Sequence, residues 1–89
     1  MEYQEEFKFL NMESIQRKNA SELKEEDRYF LKINVLDKNY NPCSFMIFNK
    51  DIMKKLLSTT LVGLQVLTVE FVLSYRNNMW SVNVVDVRE

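Results

Sequence analysis

Residues 27 to 37 read Asp-Arg-Tyr-Phe-Leu-Lys-Ile-Asn-Val-Leu-Asp, and their alternation indicates the fold class. One side of the alternation carries Tyr29, Leu31, Ile33 and Val35, and the other carries Arg28, Phe30, Lys32, Asn34 and Leu36. A period of two is typical of a β-strand with one buried face. We therefore predict a strand here, with the first set in a core and the second on an outer sheet face.

The stretch that follows predicts a hairpin and then a helix. Residues 37 to 42 suit a turn, because Asp and Asn tolerate left-handed backbone and Pro cannot donate to a central ladder. Residues 43 to 48 return as a strand. Asn49 is a good helix N-cap, and the apolar residues at 52, 53, 56 and 57 share one stripe. A helix of about ten residues is predicted from this spacing.

The two ends of the chain supply the remaining strands. Residues 65 to 75 and 80 to 87 alternate and are rich in β-branched residues, with a turn between them and Gly63 as a bend before them. The first strand is predicted from Phe7 and continues through Ile15 if a bulge near residues 11 to 13 shifts its register. Residues 19 to 26 read as a loop or one helical turn. The order is therefore β-β-β-α-β-β.

Composition limits the class of protein. With 89 residues, 46% of them hydrophobic and 28% charged, the chain suits a single globular domain over residues 1–89. Cys43 is the only cysteine and there is no histidine, so we expect no disulfide, no metal site and no cofactor. No apolar run approaches the roughly 20 residues that span a bilayer, and no signal peptide is recognised. We expect a cytoplasmic protein without membrane contact.

Catalysis is not expected from this sequence. The chain lacks a histidine for general base chemistry, a Gly-rich phosphate loop and a nucleophile elbow. Adjacent acids such as Glu5 with Glu6 and Glu25 with Glu26 are typical of solvated surface. We therefore predict a protein that binds rather than an enzyme, with no catalytic residues.

The element order resembles that of OB-fold single-stranded nucleic-acid-binding proteins, in a minimal form like that of phages or mobile elements. The features that carry the resemblance are residues 45 to 49 running into the helix, Gly63 before a strand, and the closing strand 80 to 87. The resemblance implies a mainly β fold: a five-stranded Greek-key barrel with one short helix between the third and fourth strands. One departure is the absence of glycine in the first strand, so barrel closure would depend on the bulge.

The charges are distributed unevenly along the chain. Residues 1 to 27 hold eight acids and four bases, whereas residues 28 to 89 hold five acids and eight bases. Phe30 lies two positions from both Arg28 and Lys32, so the outer face of its strand offers an aromatic ring beside two cations. Asn34 follows on the same face and can bond a base edge. This pattern favours a single-strand binding site.

Further candidate residues for this site lie in turns and at strand ends. They are Lys38, Tyr40, Phe48, Arg76 and Trp80. Three of the aromatic side chains have an alternative role in packing: Phe30 would fill a second small core, Phe48 would lead into the helix as part of the main one, and Trp80 would pack with its indole N–H near solvent. Tyr40, in a polar turn, is expected to be exposed.

The predicted partner is single-stranded DNA or RNA, in a process such as replication, recombination or DNA transfer. The β-branched last strand would present an edge for a homo-oligomer or cooperative assembly. Two other functions stay open. The chain could be an OB-fold protein–protein interaction or assembly module without nucleic-acid affinity, or a module that binds oligosaccharides or small ligands on stacked aromatics.

Overall fold

The computed structural model describes residues 2–89 as five antiparallel strands and one helix. The strands are β1 (Glu2–Gln16), β2 (Tyr29–Leu36), β3 (Pro42–Ile47), β4 (Val66–Arg76) and β5 (Met79–Arg88), and the helix α1 spans Lys50–Leu57. Two short 3-10 turns, Ala20–Glu22 and Glu25–Asp27, lie between β1 and β2. The predicted β-rich class with a single helix is confirmed.

All strands belong to one sheet in the order β3-β2-β1-β4-β5. The long strand β1 forms its centre, since its C-terminal half pairs with β2 and its N-terminal half pairs with β4. β3 and β5 are therefore the two edges. They contact each other, but within residues 2–89 no hydrogen-bonded ladder joins them.

A bulge in β1 changes which of its side chains face the core. The register with β2 shifts between Phe9 and Asn11, close to the predicted position. Before the shift Phe7 and Phe9 are buried, and after it Met12 packs against the core. The bulge thus lets β1 pair with both β2 and β4 while its apolar side chains keep facing the core.

The core lies between the concave face of the sheet and α1. Its largest fully buried side chains are Ile33, Val35, Ile47, Leu67, Val69 and Val87. Ile52 and Leu56 of α1 close it from the other side. Burying one such side chain contributes roughly 1.5–3 kcal/mol, so this cluster dominates the stability of the fold.

Tyr29 was predicted in the core, and this was wrong, because it is 48% exposed. It pairs with Gln16 at the end of the β1–β2 ladder. There it lines an open groove with Met53 and Leu57 of α1. The side chains of α1 border this groove without covering the tyrosine ring.

The predicted N-cap of α1 is confirmed. The Asn49 side chain accepts hydrogen bonds from the backbone N–H groups of Asp51 (2.9 Å) and Ile52 (3.1 Å). The helix ends at Leu57, earlier than predicted, and Ser58 N–H donates to the Lys54 carbonyl at its C-terminus. Within residues 2–89 no helix has the length and apolar character needed to cross a bilayer.

Three turns of the described chain contain left-handed backbone, the first of them at Tyr40 (φ of 62°) between β2 and β3. Asn77 and Asn78, with φ of 52° and 60°, form the two-residue turn between β4 and β5, the type I′ geometry that Asn favours. The bend before β4 is placed at Leu64, whose φ is 67°, whereas Gly63 has no positive φ. The glycine was thus predicted in the correct turn, but it is not the residue that takes the unusual conformation.

Candidate nucleic-acid interface

The outer face of β2 lies between two neighbouring strands that complete its surface. Phe30, Lys32 and Asn34 are all half-buried. Their partners on β1 are Ile15, Glu13 and Asn11, and on β3 Lys32 and Asn34 face Met46 and Ser44. Directly opposed residues of antiparallel strands share a face. The predicted outer face is therefore a mixed surface built from three strands.

An aromatic pair lies at one end of this face. The ring centroids of Phe30 and Phe48 are 4.9 Å apart with an interplanar angle of 34°. Phe48 is 50% exposed, so it is not part of the main core. The half-buried Phe30 ring packs against the Phe48 ring. Phe30 therefore packs in a small cluster outside the main core, which is the alternative predicted for it. Phe48 does not join the main core and keeps an accessible ring.

Arg17 joins this pair from the end of β1. Its guanidinium carbon lies 5.1 Å from the Phe48 ring centroid, a cation–π distance. Arg17 Nε is buried and has no hydrogen-bond partner within residues 2–89. Sequence reasoning missed Arg17, although the period-two series Glu13, Ile15, Arg17 would have placed it on the outer face.

We call Arg17, Phe30, Lys32 and Phe48 the outer-face cluster. It brings together two aromatic rings and two cationic side chains from three different segments of the chain. Rings with an exposed face and neighbouring cations are the elements that sequence-tolerant single-strand binding uses. Met46, which is 52% exposed, extends the cluster along β3 with apolar surface.

Asn34 has a structural role within a polar network beside the cluster. Its Nδ2 donates to Asn11 Oδ1 (2.6 Å) and to Glu13 Oε2 (3.1 Å), and its Oδ1 accepts from Ser44 Oγ (2.7 Å). The network links β1, β2 and β3. Both ends of the amide are therefore engaged, and a base edge would have to displace an existing partner.

Arg28 does not lie beside Phe30 as predicted. Its backbone is helical, with φ of −78° and ψ of −18°, so the alternation of β2 begins only at Tyr29. Its Nε donates to the Leu23 carbonyl at 3.1 Å. Arg28 thus fixes the connection between β1 and β2.

Lys38 and Tyr40 lie at the opposite end of β2. Six residues of strand separate Phe30 from Leu36, which places this turn about 20 Å from the cluster. Lys8 Nζ donates to Tyr40 Oη at 2.6 Å, and this bond lowers the pKa of the tyrosine hydroxyl. Lys38 borders a depression that also contains Glu5 and Glu6, an unfavourable setting for a phosphate.

Arg76 and Trp80 belong to the β4–β5 hairpin and face opposite ways. Trp80 opposes Tyr75, with ring centroids 5.1 Å apart, and Arg76 opposes Met79. Adjacent residues of a strand alternate between faces, so Arg76 does not lie beside the indole. Trp80 is 62% exposed. It was predicted to pack with its indole N–H near solvent, and within residues 2–89 its aromatic contact is with Tyr75.

Several bases are engaged in ion pairs elsewhere. Lys50 Nζ lies 2.6 Å from Asp27 Oδ1, which lowers the pKa of that carboxyl through a hydrogen bond to Lys50. Lys55 pairs with Asp86, and Arg88 pairs with Glu70. Positive charge next to exposed aromatic rings is therefore found in the outer-face cluster and at Tyr40, where Lys8 Nζ lies 4.0 Å from the ring centroid.

Chemically reactive groups are few in the part of the chain that is described. Burial raises the pKa of the half-buried Cys43 thiol, which keeps it protonated and unreactive near neutral pH. Residues 2–89 contain no cluster of three or more side chains suited to a metal ion.

Comparison with protein-family models, with curated proteins and with solved structures gives no match to this chain. The functional interpretation therefore depends on the geometry of the outer-face cluster and on its chemistry.

Proposed function

We propose that this chain is a non-enzymatic single-stranded nucleic-acid-binding domain, for DNA or RNA, that acts in replication, recombination or DNA transfer. The observation that carries the proposal is the half-exposed Phe48 ring, supported from below by Phe30 and approached by Arg17. A rigid aromatic surface with a cation at its side suits a stacked base and its phosphate.

The strand order supports an OB-type barrel as the setting of this site. β1 pairs with both β2 and β4, which leaves β3 and β5 as edges that approach each other, with α1 between β3 and β4 in the chain. Pairing of those two edges would close a five-stranded barrel. The outer face of β2 and β3 is the surface that such barrels use for oligonucleotides.

Arg17 supplies the phosphate contact in this proposal. Within residues 2–89 its Nε is a buried donor without a partner, a state that costs about 1–3 kcal/mol. Movement of the guanidinium from the Phe48 ring to a phosphate would satisfy that donor and uncover the ring for a base. Lys32 provides a second cation on the same face.

These contacts predict weak and salt-dependent affinity. Stacking of a base contributes roughly 1–3 kcal/mol. Two neutralised phosphates give a slope of about −1.4 in log affinity against log salt, or roughly a sevenfold loss between 50 and 200 mM. One domain should therefore bind a single strand weakly, at best in the micromolar range.

Fluorescence anisotropy with labelled dT and rU oligomers of about 20 nucleotides tests the proposal at both salt concentrations. Phe48→Ala should weaken binding by roughly 5- to 150-fold, the equivalent of one lost stack. Lys32→Gln should reduce the salt effect to roughly threefold. Val62→Ala is the matched control, because Val62 is also exposed but lies in the loop between α1 and β4.

Absence of binding at 50 mM salt would refute the proposal. Equal losses for Phe48→Ala and Val62→Ala would refute the site. Thermal unfolding of each variant ensures that changes in affinity are not losses of folded protein.

A second function, a protein-interaction or assembly module without nucleic-acid affinity, is favoured by one observation. Tyr75 and Trp80 expose more than half of their surface, and the neighbouring Arg76 faces the other way. Aromatic surface without a cation is more typical of protein interfaces. Failure of the anisotropy experiment would favour this function.

A further inference from the structure

The tip of the β4–β5 hairpin extends beyond the rest of the sheet. The ladder between β1 and β4 ends at Val72, so residues 74–81, which we call the arm, pair only with each other among the strands of residues 2–89. On one face of the arm, Tyr75 and Trp80 are 55% and 62% exposed. Val82, which follows Trp80 on the same face just beyond the arm, is 49% exposed. This face is apolar.

The outer edge of β5 is unprotected along the arm. β5 is an edge strand of the sheet, and residues 77 to 85 contain no charged side chain and no proline. Exposed edges are normally blocked by lysine, proline or a covering element because their free N–H and C=O groups invite another strand. An uncharged edge can also pair with an identical edge without repulsion between like charges.

The hairpin register fixes which backbone groups are free. A two-residue type I′ turn is closed by a hydrogen-bonded pair, here Arg76 with Met79. Hydrogen-bonded and non-hydrogen-bonded pairs alternate along an antiparallel ladder. The N–H and C=O groups of Trp80 and Val82 therefore point away from β4, toward the open edge.

We propose that a second copy of this chain pairs antiparallel with β5 about a two-fold axis at Ser81. In this register Trp80 bonds to the partner's Val82, and Val82 bonds to the partner's Trp80, so all four outward-pointing backbone groups of each copy are satisfied. The apolar faces of the two arms become continuous. This dimer does not depend on nucleic-acid binding.

The exposed area indicates how strong the dimer is. Half-exposed Tyr75 and Trp80 each offer on the order of 100 Å². With Val82, each copy would bury at most roughly 300 Å², less than half of the ~800 Å² per partner in a standard interface. The dimer therefore exchanges with monomer and forms at high micromolar concentration.

Sedimentation equilibrium from about 10 μM to 1 mM, without nucleic acid, tests the register. Trp80→Lys and Val82→Glu should each weaken self-association at least tenfold, because each places an unpaired charge against the partner's apolar side chain. An equimolar mixture should recover the dimer, since position 80 of one variant faces position 82 of the other. Leu57→Lys, on α1, should not change the association.

Cross-linking gives a second test that does not introduce charge. In a Cys43→Ser background, Ser81→Cys places one thiol on the axis opposite its copy, within the Cα separation that a disulfide allows. Asn83→Cys is the matched control, since its copies would lie about 14 Å apart. Mild oxidation should cross-link only the first variant.

A wild-type protein that remains monomeric at 1 mM would overturn the proposal. So would a mixture of the two charged variants that associates no better than either alone, or equal cross-linking at positions 81 and 83. Far-UV circular dichroism of each variant, before and after heating, verifies that it is folded.

Discussion

Replacement of Leu64 by glycine and of Gly63 by alanine should stabilise the protein. Leu64 has a φ of 67° in the turn before β4, while Gly63, one residue earlier, has no positive φ. Leu64 is held there because its N–H donates to the Phe9 carbonyl at 2.6 Å and Phe9 N–H donates to the Gln65 carbonyl at 2.8 Å. The ladder between β1 and this turn therefore imposes the conformation.

The magnitude follows from the two backbone positions. Left-handed backbone costs an L-residue about 1–2 kcal/mol, and glycine avoids that cost but adds about 0.5–1 kcal/mol of unfolded-state entropy. Leu64 is 59% exposed, so little burial is lost. Leu64→Gly should raise the free energy of unfolding by about 0.5–1 kcal/mol. A Cβ at Gly63 would meet nothing within 4 Å, so Gly63→Ala should add about 0.4–1 kcal/mol.

Urea unfolding followed by circular dichroism measures both variants and their combination. Each kcal/mol should raise the melting temperature by roughly 4–8 °C in a domain of this size, with an unchanged m-value. The double variant should be the most stable of the three. A Leu64→Gly protein less stable than wild type would refute the reasoning, because it would mean that the leucine side chain contributes more than its backbone costs.

Two further predictions concern α1. Asn49→Ala should lower the free energy of unfolding by about 1 kcal/mol in urea, because it removes the hydrogen bonds to the N–H groups of Asp51 and Ile52. Lys50→Met should raise the pKa of Asp27 toward its ordinary value of 3.8 in an NMR titration, since the Lys50 hydrogen bond lowers it. The same bond raises the pKa of Lys50 above 10.5. The pair therefore contributes fully between about pH 4 and 10, less as pH falls through the lowered carboxyl pKa, and less as it rises through the raised amine pKa.

Matched variants distinguish these effects from general damage to the helix. Asn49→Asp keeps a capping oxygen and should retain most of the stability, so an equal loss for both substitutions would contradict the cap. Lys54→Met removes a charge from the same helix without touching Asp27. If it moved the Asp27 pKa as far as Lys50→Met does, the ion pair would not be the cause.

Local rules in the sequence determined most of the secondary structure. The alternation of residues 29 to 36 gives β2, the Asn49 side chain gives the start of α1, and Asn77 with Asn78 gives the β4–β5 turn. A bulge in β1 was also predicted, and the structure has one between Phe9 and Asn11. Each of these depends on interactions within a few residues. Their positions therefore needed no knowledge of the neighbouring strands.

The candidate site was predictable only in part. Phe30, Lys32 and Phe48 were identified from strand faces, and they do come together. Arg17 was missed and Arg28 was misplaced, because the point where alternation stops depends on the turns that enter β2. A residue pattern indicates on which side of a strand a side chain lies. It does not indicate which loop that side chain forms hydrogen bonds with.

Tertiary structure alone decided how far each face is covered. Tyr29 and Trp80 follow the same periodicity as the buried residues of their strands, yet both are exposed. Tyr29 borders an open groove at the end of the β1–β2 ladder, and Trp80 lies in the part of the β4–β5 hairpin beyond the β1–β4 ladder. Leu64 takes a left-handed conformation because its hydrogen bond to Phe9 is made across the sheet. The sequence by itself determined which side chains share a strand face and where the turns lie, because both depend on residues that are close in the chain. Burial, strain and exposed surface depend on where distant segments begin and end, and only the assembled sheet determines that.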